Sequence, residues 1–268
     1  MKKILTTAIL CAGLVGFTAC DSFLDEDPKS SLTLDTYYKT SADIIGNVNY
    51  LYRDGAPDKM GNMTGAYRGS SLSVMNMVTG YFVNEYEGQE VDCSYARQLT
   101  RQDFTQSCCN YLTNDTWKSC YKSINVANAV IKYVDGVEMD NQAQYKAEAR
   151  FFRALNYFYL VKMFGDVPMV TEPTEDATLV EYPTRTAASE VFNTVIIPDL
   201  QFAVENLPNA TFAGNSHRVT KYAADMLLAD VYMRLGEYAN AVTPLKDVIN
   251  SGKFALATND NLAEGNAF

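Results

Sequence analysis

The stretch from Tyr145 to Pro168, YKAEARFFRALNYFYLVKMFGDVP, decides the fold of this 268-residue chain. At helical spacing Ala147, Phe151, Ala154, Leu155, Phe158 and Val161 share one side, and Lys146, Arg150, Arg153 and Lys162 lie off that stripe or flank it. The spacing predicts a long amphipathic helix. Phe151, Phe152, Tyr157, Phe158 and Tyr159 crowd into two turns and cannot all point at one small core, so the helix needs neighbours on two sides. Its end is written in the sequence as well: Gly165 can turn left-handed after the last turn, and Pro168 forbids a restart.

Outward from this helix the pattern stays helical. Before it, Asp115 is a plausible cap for a helix with Trp117, Cys120, Tyr121, Ile124, Ala127, Ile131 and Val134 on one face, closed by Gly136. The short connection between the two predicts an antiparallel pair, with Trp117 as a core anchor. Earlier still, Thr40 to Asp43 reads as a capping box for a short helix carrying Ile44, Val48, Leu51 and Tyr52. Between them, from Gly55 to about Asn114, six glycines interrupt every period. That long irregular region is of the kind that carries function. After the central helix, Thr186 starts a helix with Val191, Val195, Leu200, Val204 and Leu207 on its apolar face, kinked at Pro198. Thr220 then caps YAADMLLADVYMRLGEYANAVTPLKDVINSG, whose Ala223, Ala224, Leu227, Leu228, Val231 and Tyr232 form one face. Gly236 turns the chain, and Tyr238, Ala241, Leu245, Val248 and Ile249 form the next face, with Pro244 bending that helix. This order resembles a tetratricopeptide unit, a helix pair that must stack to bury its faces. The expected fold is all-α: a tetratricopeptide-like helical-repeat body with a long irregular loop region.

Composition narrows the function. A formal charge of −10 leaves no basic field for phosphates, which argues against nucleic acid as a partner. One His, His217, against 18 Tyr and 13 Phe offers aromatic surface but little imidazole chemistry, so no metal site and no cofactor is expected and His217 reads as a loop residue. Residues 1–19 read as an export signal: Lys2 and Lys3, an apolar run too short for a bilayer, then Gly16-Phe17-Thr18-Ala19-Cys20. That ending resembles a bacterial lipobox, in which the Cys20 thiol is alkylated by diacylglycerol, giving a membrane anchor. An ordinary cleaved signal is the alternative. Residues 20–39 read as an acidic tether and 40–268 as the helical domain. Cys93, Cys108, Cys109 and Cys120 can form two bridges in any of three connectivities, or remain thiols.

The run AEARFFRALNYFYLVKMFGDVP closely resembles the hallmark helix of the SusD/RagB family, glycan-capturing outer-membrane lipoproteins of Bacteroidetes that sit over a TonB-dependent transporter. Trp117, Tyr121, Ile124, Ala127, Asn128 and Ile131 resemble that family's W-x-x-x-Y-x-x-I-x-x-A-N-x-x-I helix. The Asp199-Leu200 pair, the Leu207-Pro208 ending and the acidic residues after Cys20 look like the family too. The resemblance implies a lipid-anchored protein on the cell surface that passes oligosaccharide to a SusC-like channel. Family members usually run to about twice this length, so the chain is expected to correspond to the N-terminal portion.

Sugar recognition needs aromatic faces for the apolar side of a ring and carboxylates, amides or guanidinium groups for its hydroxyls. Between Gly80 and Arg101 the chain offers such residues, and Asn84, Tyr86, Asp92, Tyr95 and Arg97 are the candidate ligand-binding set. Two other functions were weighed. Glu85 and Asp92 could act as acid and base in glycoside hydrolysis only at a separation that sequence does not fix, and no GxSxG, HExxH or phosphate-binding Gly-rich motif is present, so no enzyme is expected. A repeat scaffold binding peptides or a partner protein along its concave face is the remaining alternative.

Overall fold

A computed structural model describes residues 33–53, 79–81, 101–102, 106–174 and 183–256, in two units divided after Tyr37. In the first unit one turn, α1 (Leu34–Tyr37), is capped by Thr33. The Thr33 N–H donates to Thr36 Oγ1, and the Thr36 hydroxyl donates back to the Thr33 carbonyl, both at 3.0 Å.

The second unit is built from α2 (Ser41–Arg53), α3 (Gln106–Tyr133), a 3-10 turn (Val134–Gly136), α4 (Gln142–Phe164), α5 (Ala188–Val191), a π turn (Phe192–Ile196), α6 (Ile197–Asn206), α7 (Lys221–Arg234) and α8 (Tyr238–Asn250). The fold is all-α, and among the described residues the only β pairing is a single antiparallel bridge between Val167 and Thr186. The expected box opens α2: Thr40 donates its N–H (2.8 Å) and hydroxyl (2.7 Å) to the Asp43 carboxylate. Those bonds hold the Asp43 carboxyl below its ordinary range. Ile44, Val48 and Leu51 are then completely buried.

Helix α3 begins at Gln106 rather than at Asp115, so residues 106–114, expected to be irregular, are helical. No Gly or Pro stands between 106 and 133, and once a helix is nucleated each further residue adds a hydrogen bond without needing an apolar stripe. α3 and α4 pack antiparallel, with Trp117 against Phe164 (5.1 Å between ring centroids), Tyr121 against Tyr157 (6.4 Å) and an ion pair of Asp135 with Lys146. Tyr38, just before α2, stacks on Tyr133 at the far end (5.1 Å).

The Phe-Gly-Asp-Val-Pro ending does more than stop α4. Gly165 has φ 68° and ψ −123°, which only glycine adopts freely and which is not the left-handed helical conformation expected. It turns Asp166 so that its carboxylate accepts the N–H of Ala188 (2.9 Å) at the start of α5. Val167, fully buried, pairs with Thr186, and the Pro168 carbonyl accepts the Tyr121 hydroxyl (2.7 Å). At Pro198 the expected kink takes the form of the π turn before it. The Ile197 N–H reaches back five residues to the Phe192 carbonyl. That register lets α6 start with Pro198 in its first turn, where a missing N–H leaves no bond unmade.

Helices α7 and α8 form the expected pair around Gly236, whose φ of 76° favours glycine. Ala224, Leu228 and Val231 of α7 and Ala241 and Pro244 of α8 are buried. The expected face of α8 splits in two. Tyr238, Val242 and Ile249 turn outward, Tyr238 and Ile249 being 69% and 72% exposed, while Leu245 and Val248 are half-buried. The helix runs through Pro244 without a break.

Candidate functional site

Asn84, Tyr86, Asp92, Tyr95 and Arg97 lie outside the described residues, as do Cys20, Glu85 and Cys93. The structure brings together instead the frame from which residues 54–105 leave α2 and return to α3. Two buried polar networks fasten that frame, and both grow from α4.

In the first, Glu148 is completely buried yet fully engaged. It accepts from Arg218 (2.5 Å to Nη2, 3.0 Å to Nε), from the Tyr52 hydroxyl (2.8 Å) and from Gln144 Nε2 (3.0 Å). Arg218 also donates to Asn49 Oδ1 (2.8 Å) and lies over the rings of Tyr52 and Tyr145. The Tyr52 oxygen accepts the Val219 N–H (3.0 Å), so one carboxylate ties α2, α4 and the segment before α7. Burial and the neighbouring Glu148 charge drive the Tyr52 hydroxyl far above its ordinary pKa, keeping it a donor. In the same loop Ser216 and His217, as expected a loop residue, both take positive φ, which turns Arg218 inward.

In the second, Arg153 holds Asp199 in a two-pronged pair, Nε to Oδ2 at 2.7 Å and Nη2 to Oδ1 at 2.9 Å. Arg150 stands 3.8 Å from the same carboxylate and over Phe202. Burial raises the Asp199 carboxyl and Arg153 opposes the shift. The remaining Arg153 nitrogen donates to Asn128 Oδ1 (2.9 Å), and Asn128 Nδ2 donates onward to the carbonyls of Val170 (3.0 Å) and Glu172 (3.2 Å). Arg153 was read as flanking the apolar stripe; it is buried because α3 and α6 cover both sides of α4.

Tyr121, Asn125 and Asn128 follow at helical spacing on α3 and grip the segment after α4 along its length. Asn125 Oδ1 accepts the Thr174 N–H (2.7 Å), and Tyr157 exchanges bonds with Val170 (2.7 and 2.8 Å). Burial pushes the Tyr157 phenol up to about 12. Trp117 is half-buried rather than a core residue: its ring meets Tyr121, Phe164 and the Arg185 guanidinium at the rim.

One further concavity stands at the other end of the hairpin. An open cleft of about 620 Å³ is lined by Ser41 and Ile45 of α2, Glu138, Met139, Asp140 and Asn141 of the turn, and Tyr145 of α4. Among the described residues no group of three or more His, Cys, Asp and Glu side chains is placed to hold a metal ion. No described helix is long and apolar enough to cross a membrane.

A family model described as starch-binding and associating with the outer membrane, SusD-like, matches residues 22–233. The chain belongs to the SusD-like family. It is 29% identical over 254 residues to SusD-like protein P2 of Formosa agariphila, covering 94% of this chain and 47% of that one. It is also 29% identical to a SusD-like protein of Bacteroides ovatus, covering 90% and 40%. The chain thus spans about half the length of the curated relatives it matches. Among solved structures, a laminarin-binding SusD-like protein has the same fold (TM-score 0.68, 24% identity, 84% of this chain and 48% of that one). A structure with xylogluco-oligosaccharide is similar too (TM-score 0.62, 25% identity, 81% and 42%).

Within this SusD-like chain, Glu148, Arg153, Asp199 and Arg218 are the residues that reading for one apolar stripe overlooks. A signal was present: Glu148 and Arg153 stand in a helix with apolar or aromatic residues on every side, and such a helix has no solvent face on which to put them.

Proposed function

We propose that this chain is a surface glycan-binding lipoprotein, anchored in the outer membrane through lipid on Cys20, that captures oligosaccharide and passes it to a SusC-like TonB-dependent transporter without cleaving it. The observation that carries this reading is the family match over residues 22–233. Two similar structures, one a laminarin-binding protein and the other with xylogluco-oligosaccharide, support a glycan as the ligand class. The frame suits the task physically. Buried ion pairs and their hydrogen bonds tie α2 and α3, the helices that flank residues 54–105 in the chain, to α4. Asn84, Tyr86, Asp92, Tyr95 and Arg97 remain the proposed contacts, aromatic rings for the sugar faces and polar groups for the hydroxyls.

Calorimetric titration of the folded chain with laminari- and xyloglucan oligosaccharides and with peptides, with product analysis of each mixture, tests the proposal. Saturable binding of a glycan without cleavage, weakened in Tyr86→Ala or Tyr95→Ala, is expected. Cleavage products would replace capture with hydrolysis, and binding of peptides alone would replace glycan with peptide. For the anchor, Cys20→Ser should abolish incorporation of a labelled fatty acid.

A further inference from the structure

We infer that the cleft between the start of α2 and the turn into α4 is a second saccharide subsite, selective for neutral rather than anionic sugar. The inference rests on the glycan-binding reading above but concerns a different set of residues, none of them among the loop contacts proposed there.

Three observations carry it. First, the volume, about 620 Å³, falls in the range of about 300–1,000 Å³ usual for small-ligand sites. Second, the cleft's walls are braced. Gln142 Nε2 donates to the carbonyls of Val134 (2.7 Å) and Val137 (3.0 Å), Lys146 pairs with Asp135, Asp43 is occupied by Thr40, and Asn47 donates to the Asp43 carbonyl (2.9 Å). Third, apart from the Tyr145 ring, over which Arg218 lies, the polar groups lining the cleft are uncommitted where these neighbours are all engaged. Among the described residues the Ser41 hydroxyl, the Glu138 and Asp140 carboxylates, the Asn141 amide and the Tyr145 hydroxyl make no hydrogen bond or ion pair.

The chemistry of that set selects the ligand. A hydroxyl, two carboxylates, an amide and a phenol supply the mix of donors and acceptors that vicinal sugar hydroxyls need, and Tyr145, Ile45 and Met139 offer apolar contact for the ring. No Lys or Arg lines the cleft. A uronic acid or sulfated sugar would bring its negative charge beside two unpaired carboxylates and be repelled, whereas a neutral hexose donates its hydroxyls to them.

The test separates this inference from the proposed function. The folded chain is titrated with laminarihexaose, xyloglucan heptasaccharide and an oligogalacturonate, while backbone amide resonances are followed by NMR. The expected result is that a neutral oligosaccharide perturbs the amides of Ser41, residues 138–141 and Tyr145. The double variant Glu138→Ala/Asp140→Ala, which touches no residue of either buried network, should weaken that event by about tenfold or more. The oligogalacturonate should leave those amides unmoved. If neutral sugar binds and is lost in Tyr86→Ala or Tyr95→Ala while the cleft amides and the double variant stay unchanged, the glycan-binding reading stands and the subsite is overturned. The carboxylates would then serve only the N-terminus of α4. Perturbation of the cleft by oligogalacturonate as strong as by neutral sugar overturns the selectivity, and no binding of any oligosaccharide overturns both readings.

Discussion

In the hairpin of α3 and α4 buried charge finds its partners on other elements; in the hairpin of α7 and α8 the buried carboxylate is held within the pair. Glu148 and Arg153 reach Tyr52, Arg218 and Asp199, whereas Asp225, 1% exposed, is bridged by Lys221 (2.8 Å), which also takes Asp247 (2.9 Å). The difference follows from what surrounds them. Most of α4 is covered by α2, α3 and α6, with Leu155, Tyr159 and Lys162 partly exposed, so a polar residue it carries beneath those neighbours must find partners inside. α8 packs chiefly on α7 and keeps its outer stripe exposed. A helix covered by several neighbours can use charge to fix which neighbour sits where, while in the pair of α7 and α8 small side chains let the helices approach and one cation, Lys221, joins their carboxylates.

The largest test of that comparison is Arg153→Met. It leaves the Asp199 carboxylate, 3% exposed, without its two-pronged partner and Asn128 Oδ1 without its donor. Removing one half of a buried pair is expected to cost about 3–5 kcal/mol in urea unfolding. The double variant Arg153→Met/Asp199→Leu should recover most of the loss. A single-variant loss below about 1 kcal/mol would mean that the charge in the first hairpin is incidental.

Glu148→Gln comes next. Arg218 retains 22% exposure and can reach water, so the cost should be nearer 2 kcal/mol, in the range for hydrogen bonds to charged groups. Hydrogen exchange should quicken in α2 and in the segment before α7, the parts that Glu148 joins to α4, and stay unchanged in α8.

How much of this was legible beforehand divides along the same line. Every long helix of the second unit was marked by periodicity, and the ends at Gly165 and Gly236 by glycine, because backbone conformation and the apolar stripe are local properties. The polar networks were not, since Glu148 is joined to Tyr52 and Arg218, and no spacing rule links residues so distant in sequence. Gly-Asp-Val-Pro could be read as a stop, but that Asp166 caps the helix at Ala188 depends on the chain returning past residues 175–182. The outward turn of Tyr238 and Ile249 was misread because α8 is apolar on two stripes and periodicity alone does not say which meets α7. The loop residues proposed to bind glycan were chosen by type and place, and the described structure does not include them.

A third test uses pH on the first hairpin. Tyr52, Tyr121 and Tyr157 are all raised by burial, Tyr157 to about 12, against 10.0 for an unhindered phenol. The unfolded chain therefore loses these protons first as pH climbs past 10. The folded state then binds more protons than the unfolded, and stability, fully present below pH 10, is lost between 10 and about 12 for Tyr157. Each phenol contributes at most about 1.4 kcal/mol per pH unit. Tyr157→Phe, though weaker at neutral pH for want of its bonds to Val170, should show a shallower alkaline slope. An unchanged slope would place the titrating groups elsewhere.

The smallest expected effect tests the other hairpin. Ile249→Gln changes a side chain that is 72% exposed and has nothing packed over most of it, so the stability of the isolated chain should move by less than about 0.5 kcal/mol. The buried stripe of α8 provides the control, since Ala241→Leu forces extra methylenes into contact with α7 and should cost about 1–3 kcal/mol. If Ile249→Gln instead costs as much as Ala241→Leu, the outer stripe is covered in solution. Repeating the unfolding at tenfold dilution would then separate the two ways of covering it: a loss that fades on dilution comes from association between chains, and one that does not comes from the chain itself. Either result would erase the contrast between a helix covered by several neighbours and one with a face to spare, and with it the reason that the buried charge of α4 reaches other elements while that of α7 is held within its own pair.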